Sequence, residues 1–415
     1  MQNSSIRIAI IGGGLAGATL ANALIHIPHV DINVYESAPE FSERGAAVVL
    51  TSTAQRSLAR AIPSARDILS KAGAVPMNSS RLLVGSGPEA GAVILDLGQN
   101  GDPNLVIHRA SLLRELLSTL PKDVLHASKR LASIAPGKHG VIQVAFEDGS
   151  EGQFDAVIGA DGIFGNVRKH VLGDNPEAYS ASPAGFWDSR NLVPYEKAKA
   201  VLGEEYFAID RQFGWVGDNA FIMHDILENR TMVQCIISAV ENNPSKTDRK
   251  HPLTRESLNQ TLGSWLDGPI AKGMIDLILD QEDPHGYSQW DHKSTPTYAN
   301  GPVCIVGDAA HAMTPWQGFG AGMAIEDAMI LGFLFRNSDK VDAVFKAFDE
   351  VRRPRCEQII HSSRGTGDII CGVGKEVGLN LDKFRESLAP RWHIIDAIDY
   401  EAHEQEALSK LRLAS

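Results

Sequence analysis

A chain of 415 residues, 43% hydrophobic and 22% charged, has the apolar material for two or three lobes around a large core. Its net charge of −12, without a lysine- or arginine-rich run, argues against nucleic acid or an anionic membrane surface as partner. No stretch supplies about twenty uninterrupted apolar residues for a membrane span, MQNSSIRIAIIGGG lacks the pattern of a secretory leader, and Cys235, Cys304, Cys356 and Cys371 show no C-x-x-C spacing; buried thiols in a cytoplasmic protein, with no metal, are expected.

Ile8, Ile10 and Ile11 form a β-branched run suited to a buried parallel strand, which breaks at Gly12-Gly13-Gly14-Leu15-Ala16-Gly17. In this G-x-G-x-x-G, Gly12 permits the tight turn, Gly14 lets a pyrophosphate approach bare amides at a helix start, and Gly17 lets the helix lie against the strand. A second strand, Asp31 to Tyr35, ends in Glu36, whose carboxylate suits ribose hydroxyls and repels a 2′-phosphate. Strand, glycines, helix, strand and acid within thirty residues predict a dinucleotide site for FAD or NAD rather than NADP.

Arg44 is either a phosphate or ribose ligand or a solvated loop residue, and the small residues Gly45-Ala46-Ala47 suit close passage beside a ligand. A helix capped by Ser52 is expected to run to about Ala61 and stop at Pro63. Arg81 to Leu97 reads as a hairpin of a second sheet. Arg109, at a strand-to-helix junction, either points at the bound phosphates or forms a structural salt bridge. A further hairpin spans Val141 to Phe146 and Gln153 to Ile158, and its second strand leads into Ala160-Asp161-Gly162, which puts the Asp161 carboxylate near the cofactor.

From Tyr179 to about Gln289 the chain is richer in aromatic and β-branched residues, which predicts an antiparallel lobe with strands at Glu205 to Ile209, Ala220 to Ile226 and Arg230 to Ser238. A buried strand returns at Val303. It leads to Asp308, suited to a ribityl or ribose hydroxyl, and to a loop with glycines at 318, 320 and 322 that opens a long helix. Two helix-start anion sites in one chain point to a long cofactor charged at both ends, and FAD fits. His311 reads as structural. The remainder is helical, with breaks expected at Pro354, Gly372 to Gly378 and Pro390.

Three motifs in this order, the G-x-G-x-x-G with its acid, ADGIFGNVR and GDAAHAMTPWQGFGAGMAIEDA, resemble the group A flavoprotein monooxygenases. VIHRASLL and the tail RWHIIDAIDYEAHEQEA are similar to segments of salicylate hydroxylases and their fungal relatives. The resemblance implies an α/β fold: a Rossmann-like FAD-binding domain of the glutathione-reductase and p-hydroxybenzoate-hydroxylase type, with an antiparallel substrate lobe and a C-terminal helical segment. The expected boundaries are 1–178 and 296–370 for the FAD-binding domain, 179–295 for the lobe and 371–415 for the tail.

By the same resemblance Glu36, Ala47, Arg109, Asp308 and Ala321 contact FAD beside Gly12, Gly14, Gly17 and Gly320, and Pro315 lies beside the flavin ring. NADH or NADPH would reduce the flavin transiently, and reduced flavin with O2 would give a C4a-hydroperoxide that hydroxylates a phenolic acid such as salicylate. Hydroxylation with decarboxylation at the attacked carbon is one form of this reading, and a larger polyketide- or terpenoid-derived phenol, dearomatised or epoxidised, is the alternative substrate; a non-catalytic binding protein is the third reading. GFWDSRNLVP and FIMHDIL are segments where relatives carry active-site residues. Arg190 would pair with a substrate carboxylate or phenolate, and His224 would take the phenol proton. In the bland alternative Arg190 pairs with Asp188 or Glu196 and His224 is a core histidine. Monomer and homodimer are both open.

Overall fold

The computed structural model describes residues 5–42, 47–98 and 102–414; Arg44 lies outside them. Ile8, Ala9 and Ile10 are fully buried in the strand Ile6–Ile11, which lies between Val30–Tyr35 and Ala156–Gly159 in a six-stranded sheet. Both pairings are parallel, and Val303–Ile305 adds a further parallel strand beyond Ala156–Gly159. Such strands are covered on both faces and so read as continuous apolar runs. Their carboxyl ends lie along one edge of the sheet, which brings Gly12, Glu36, Asp161 and Asp308 together from four distant parts of the chain. The helices Leu15–Leu24 and Gly320–Asn337 pack on one another beside this edge.

A second, eight-stranded sheet forms the lobe, in the order Lys250–Pro252, His285–Asp291, Ser182–Pro194, Met232–Val240, Ala220–Leu227, Gln212–Gly217, Ser79–Val84 and Val93–Gly98. The hairpin 79–98 therefore completes the sheet built by the later segment. One face packs on a core containing Trp187, Trp215, Trp265 and the helix Ala271–Leu279. The other face roofs the cavity described below. The architecture is thus a Rossmann-like α/β domain with an antiparallel lobe and a helical C-terminal region.

Several local expectations are corrected. Thr51, not Ser52, caps the helix Ser52–Ala61, its hydroxyl accepting the Ala54 N–H at 3.1 Å. The segment 153–158 is split at Asp155: Glu151–Phe154 pairs antiparallel with Ile142–Phe146, whereas Ala156–Gly159 enters the parallel sheet. Glu204–Phe207 is a 3-10 turn rather than a strand, which lets Phe207 fold into the lobe core. Helix Val341–Ile370 runs through Pro354 without a break; packing against Gly320–Asn337 and Tyr400–Ala414 outweighs the one hydrogen bond the proline removes. Among the described residues no helix is long and apolar enough to cross a membrane, and the four cysteines are buried free thiols.

Candidate active site

Between the carboxyl edge of the parallel sheet and the roof of the lobe runs a cavity of about 1250 Å³. This exceeds the ~300–1,000 Å³ usual for one small ligand and leaves room for a dinucleotide together with a second molecule.

The glycine turn forms part of its wall. Gly12 has φ +111° and a Cβ there would fall 2.2 Å from the Ala160 carbonyl oxygen; a Cβ on Gly17 would fall 2.0 Å from the Gly12 oxygen. Gly17 thus lies under the turn, while Gly12, Gly14 and Glu36 line the cavity. Gly14 is the N-cap of the first helix and leaves the amides of its first turn open. The Glu36 carboxylate accepts the Gly13 N–H at 2.9 Å and the Ala38 N–H at 2.8 Å, so it holds the turn as well as facing the cavity.

Ala47, Arg109, Asp161 and Asp308 line the same cavity. Asp161 accepts the Val167 N–H through Oδ2 at 3.1 Å, but its Oδ1 is buried without a partner. Burial raises this carboxyl's pKa above the ordinary range, with the backbone donors of its own turn pulling the other way. Arg168, from the same motif, donates to the carbonyls of Ala309 and Ala310 at 3.1 Å and so ties Asp161 to the turn that carries Asp308.

The loop Pro315–Gly318 and the helix start that follows at Gly320 and Ala321 are also on the cavity wall. Gln317 donates to the Arg391 carbonyl at 2.8 Å and Ser363 donates to the Thr314 carbonyl at 2.8 Å, so the C-terminal helices pin this loop. Trp316 stands edge-on to Phe186 at 4.9 Å and closes the space between loop and roof.

Cross-strand register arranges the roof in rungs. Ser80, Gln212, Asp225 and Gln234 form a polar rung. Leu82, Gly214, Met223 and Ile236 form an apolar one, with Arg190 at its end. Arg190 lines the cavity, and its Nε donates to Asp188 at 2.7 Å, so the pairing with Asp188 and access to the cavity hold together.

His224 does not reach the cavity, which corrects its assignment as proton acceptor. Side chains alternate across a strand, and with Met223 and Asp225 facing the cavity His224 must face the opposite core. There it stacks between Phe207 at 5.1 Å and Phe213 at 5.4 Å, wholly buried, with neither ring nitrogen in a well-formed hydrogen bond. Burial pulls its pKa down to about 4, which keeps the ring neutral.

Asp225, Gln212, Gln234 and Ser80 were not foreseen from the sequence. A carboxylate inside the apolar run FIMHDIL was the available signal, because a buried acid requires a partner or a ligand.

Residues 5–363 match the family model described as FAD binding domain. This chain belongs to that FAD-binding family. Its residues fit the cofactor: two open helix starts on the wall of one cavity suit its charged pyrophosphate and electron-rich ring, and sugar hydroxyls would satisfy the unpartnered Asp161 oxygen. The flavoprotein is 32% identical to the 6-methylsalicylate 1-monooxygenase atA of Aspergillus terreus, over 98% of this chain and 92% of that protein. It is 30% identical to the FAD-dependent monooxygenase orf3 of Aspergillus niger, over 98% and 97%. Among solved structures it is similar to a salicylate hydroxylase substrate complex, with TM-score 0.85 at 22% identity and 98% of both chains covered. It is also similar to Klebsiella pneumoniae HpxO with FAD and uric acid, with TM-score 0.78 at 23% identity and 97% of both chains covered; these two likenesses concern the fold.

Proposed function

We propose that this flavoprotein is a monooxygenase that uses NADH or NADPH and O2 to hydroxylate a phenolic carboxylic acid, salicylate or a similar hydroxybenzoate. The observation that carries the reading is Arg190, a guanidinium at the end of the apolar rung Ile236–Met223 and on the wall of the same cavity as Pro315. The relatives named 6-methylsalicylate 1-monooxygenase and, at 29% identity, salicylate hydroxylase asL1 of Sarocladium schorii support it.

Bound FAD, once reduced by the pyridine nucleotide, supplies the activation of O2 for transfer to an electron-rich ring. The chain's own residues bind and orient that ring. Arg190, its Nε fixed by Asp188, pairs with the substrate carboxylate through its remaining donors. Ile236, Met223, Phe221 and Trp316 provide apolar surface for the ring and keep water away. Pro315 and the amides that open the helix at Gly320 would lie beside the flavin ring, and Gly12, Gly14, Glu36, Ala47, Arg109, Asp161, Asp308 and Ala321 would hold the rest of the cofactor.

The test is to purify the protein, record its visible spectrum, and follow NADH and NADPH oxidation with and without salicylate. Flavin bands with salicylate-stimulated oxidation and a hydroxylated product support the reading. Bound FAD without stimulation by any small phenol assigns the chemistry to a larger phenol instead.

A further inference from the structure

Asp225 is a wholly buried acid on the cavity wall with no cation in contact among the described residues. Two amides hold it: Gln212 donates to Oδ1 at 3.2 Å and Gln234 to Oδ2 at 3.3 Å. The Gln234 amide cannot turn round, because its oxygen faces a backbone N–H that can only donate. The Gln212 oxygen accepts the Ser80 hydroxyl at 2.8 Å, and the Gln234 oxygen accepts the Ala47 N–H at 2.9 Å. Both NH2 groups are turned to Asp225, which makes it an acceptor on each oxygen with lone pairs left for a ligand donor. A buried carboxyl with donors arranged for its ionised form and no counter-ion is costly to the fold, and such sites belong to function more often than to stability.

We propose that Asp225 accepts the hydroxyl proton of the phenol bound under the roof, with Gln212 and Gln234 positioning its carboxylate. This rests on the hydroxylase reading and adds the base which that reading lacks once His224 is removed. The phenol O–H bond breaks, the proton passes to a carboxylate oxygen of Asp225, and the electron pair stays on the phenolate oxygen, which enriches the ring carbons to be attacked. The proton leaves to solvent after product release. Burial lifts the Asp225 carboxyl to about 6, against the pull of the two amides, so the group changes charge close to neutral pH. The ionisable neighbours do not compete for this task. Cys235, on the adjacent strand, is a thiol pushed up to about 12, His224 is neutral on the opposite face, and Arg190 stands at the end of the next rung as a fixed cation.

The test uses the FAD-loaded full chain and the variants Asp225→Asn and Asp225→Glu. The Asn variant is expected to keep bound FAD and a native visible spectrum while kcat/KM for salicylate falls by ~10²–10⁴-fold. The acid limb of the wild-type pH profile should disappear in Asn and persist in Glu. Binding is read separately by titrating flavin absorbance with salicylate and with benzoate, which lacks the hydroxyl. Wild type should prefer salicylate, and Asp225→Asn should lose that preference. An Asn variant within threefold of wild type, an acid limb that survives in it, or a wild type that binds salicylate no better than benzoate overturns the proposal. A wild type that prefers salicylate through Asp225 yet turns over no phenol sinks the hydroxylase reading alone.

Discussion

His224 and Asp225 are neighbours on one strand and serve opposite faces of it, the imidazole in an aromatic cage and the carboxylate on the cavity wall. The cage is nonpolar and leaves both ring nitrogens without a well-formed hydrogen bond. His224→Phe, a near-isosteric change that removes those atoms, is expected to alter stability by less than ~1.5 kcal/mol and to leave the pH profile of turnover unchanged. Thermal melts and kcat/KM across pH 5–9 check this. A lost ionisation near neutrality would restore His224 to the site.

Asp225 makes the protein's stability depend on pH. Its folded pKa is raised from the ordinary 3.8 to about 6, so below 4 the carboxyl is protonated in both states and costs nothing. Between 4 and 6 the unfolded carboxyl ionises while the buried one keeps its proton, so stability falls by about 3 kcal/mol and levels off once pH passes the folded value. Denaturant unfolding of wild type and Asp225→Asn in parallel should show the variant gaining about that much relative to wild type between pH 4 and 7. The constant offset from the amide facing Gln212 or Gln234 cancels in this difference. A gap independent of pH would contradict the argument.

Arg190→Ala removes a charged hydrogen bond to the substrate carboxylate, worth ~1.5–3 kcal/mol, and should raise the apparent KM for salicylate by about 10- to 100-fold with FAD still bound. For a phenol without a carboxylate the rise should be smaller. Equal effects on both substrates would remove the pairing from the account.

Beneath the flavin loop, Asp327 accepts the Gly307 N–H at 3.0 Å, His311 Nε2 at 2.6 Å and Arg352 Nε at 2.9 Å, all buried. Glu326 completes the cluster with Arg352 and Arg355. Burial works against the charge on His311, but Cys356 and Asp327 outweigh it and raise its pKa well above the ordinary value. Its contribution is therefore complete below the unfolded imidazole pKa of ~6.5 and is lost as pH climbs through the folded value. Asp327→Asn leaves the buried His311 cation without its carboxylate and Arg352 with Glu326 alone, and should cost ~3–5 kcal/mol, read as a lower melting temperature. It also frees the turn before Asp308, so FAD should dissociate more readily from the folded variant. A variant with native melting temperature and FAD retention would show that the cluster bears neither role.

The nucleotide end of the cavity was legible because its chemistry is local: Gly12, Gly14, Gly17 and Glu36 lie within one strand-turn-helix-strand unit whose spacing carries the geometry. The roof was not. Ala220–Leu227 is buried on both faces, so no polar alternation reveals which side meets the ligand, and parity puts Asp225 rather than His224 on the cavity wall. The polar rung draws Ser80, Gln212, Asp225 and Gln234 from four strands, a long-range pairing that no sequence window contains. Pro354 was misread for a related reason, since tertiary packing around Val341–Ile370 overrides a local helix breaker.

Oxygen-18 labelling reaches the central claim most directly. Purified holoenzyme given NADH or NADPH and salicylate under ¹⁸O2 should place one ¹⁸O atom in the new hydroxyl of the product, with none arriving from labelled water. A new hydroxyl whose oxygen comes from water, or oxidised pyridine nucleotide with unaltered phenol across the hydroxybenzoates, would contradict it.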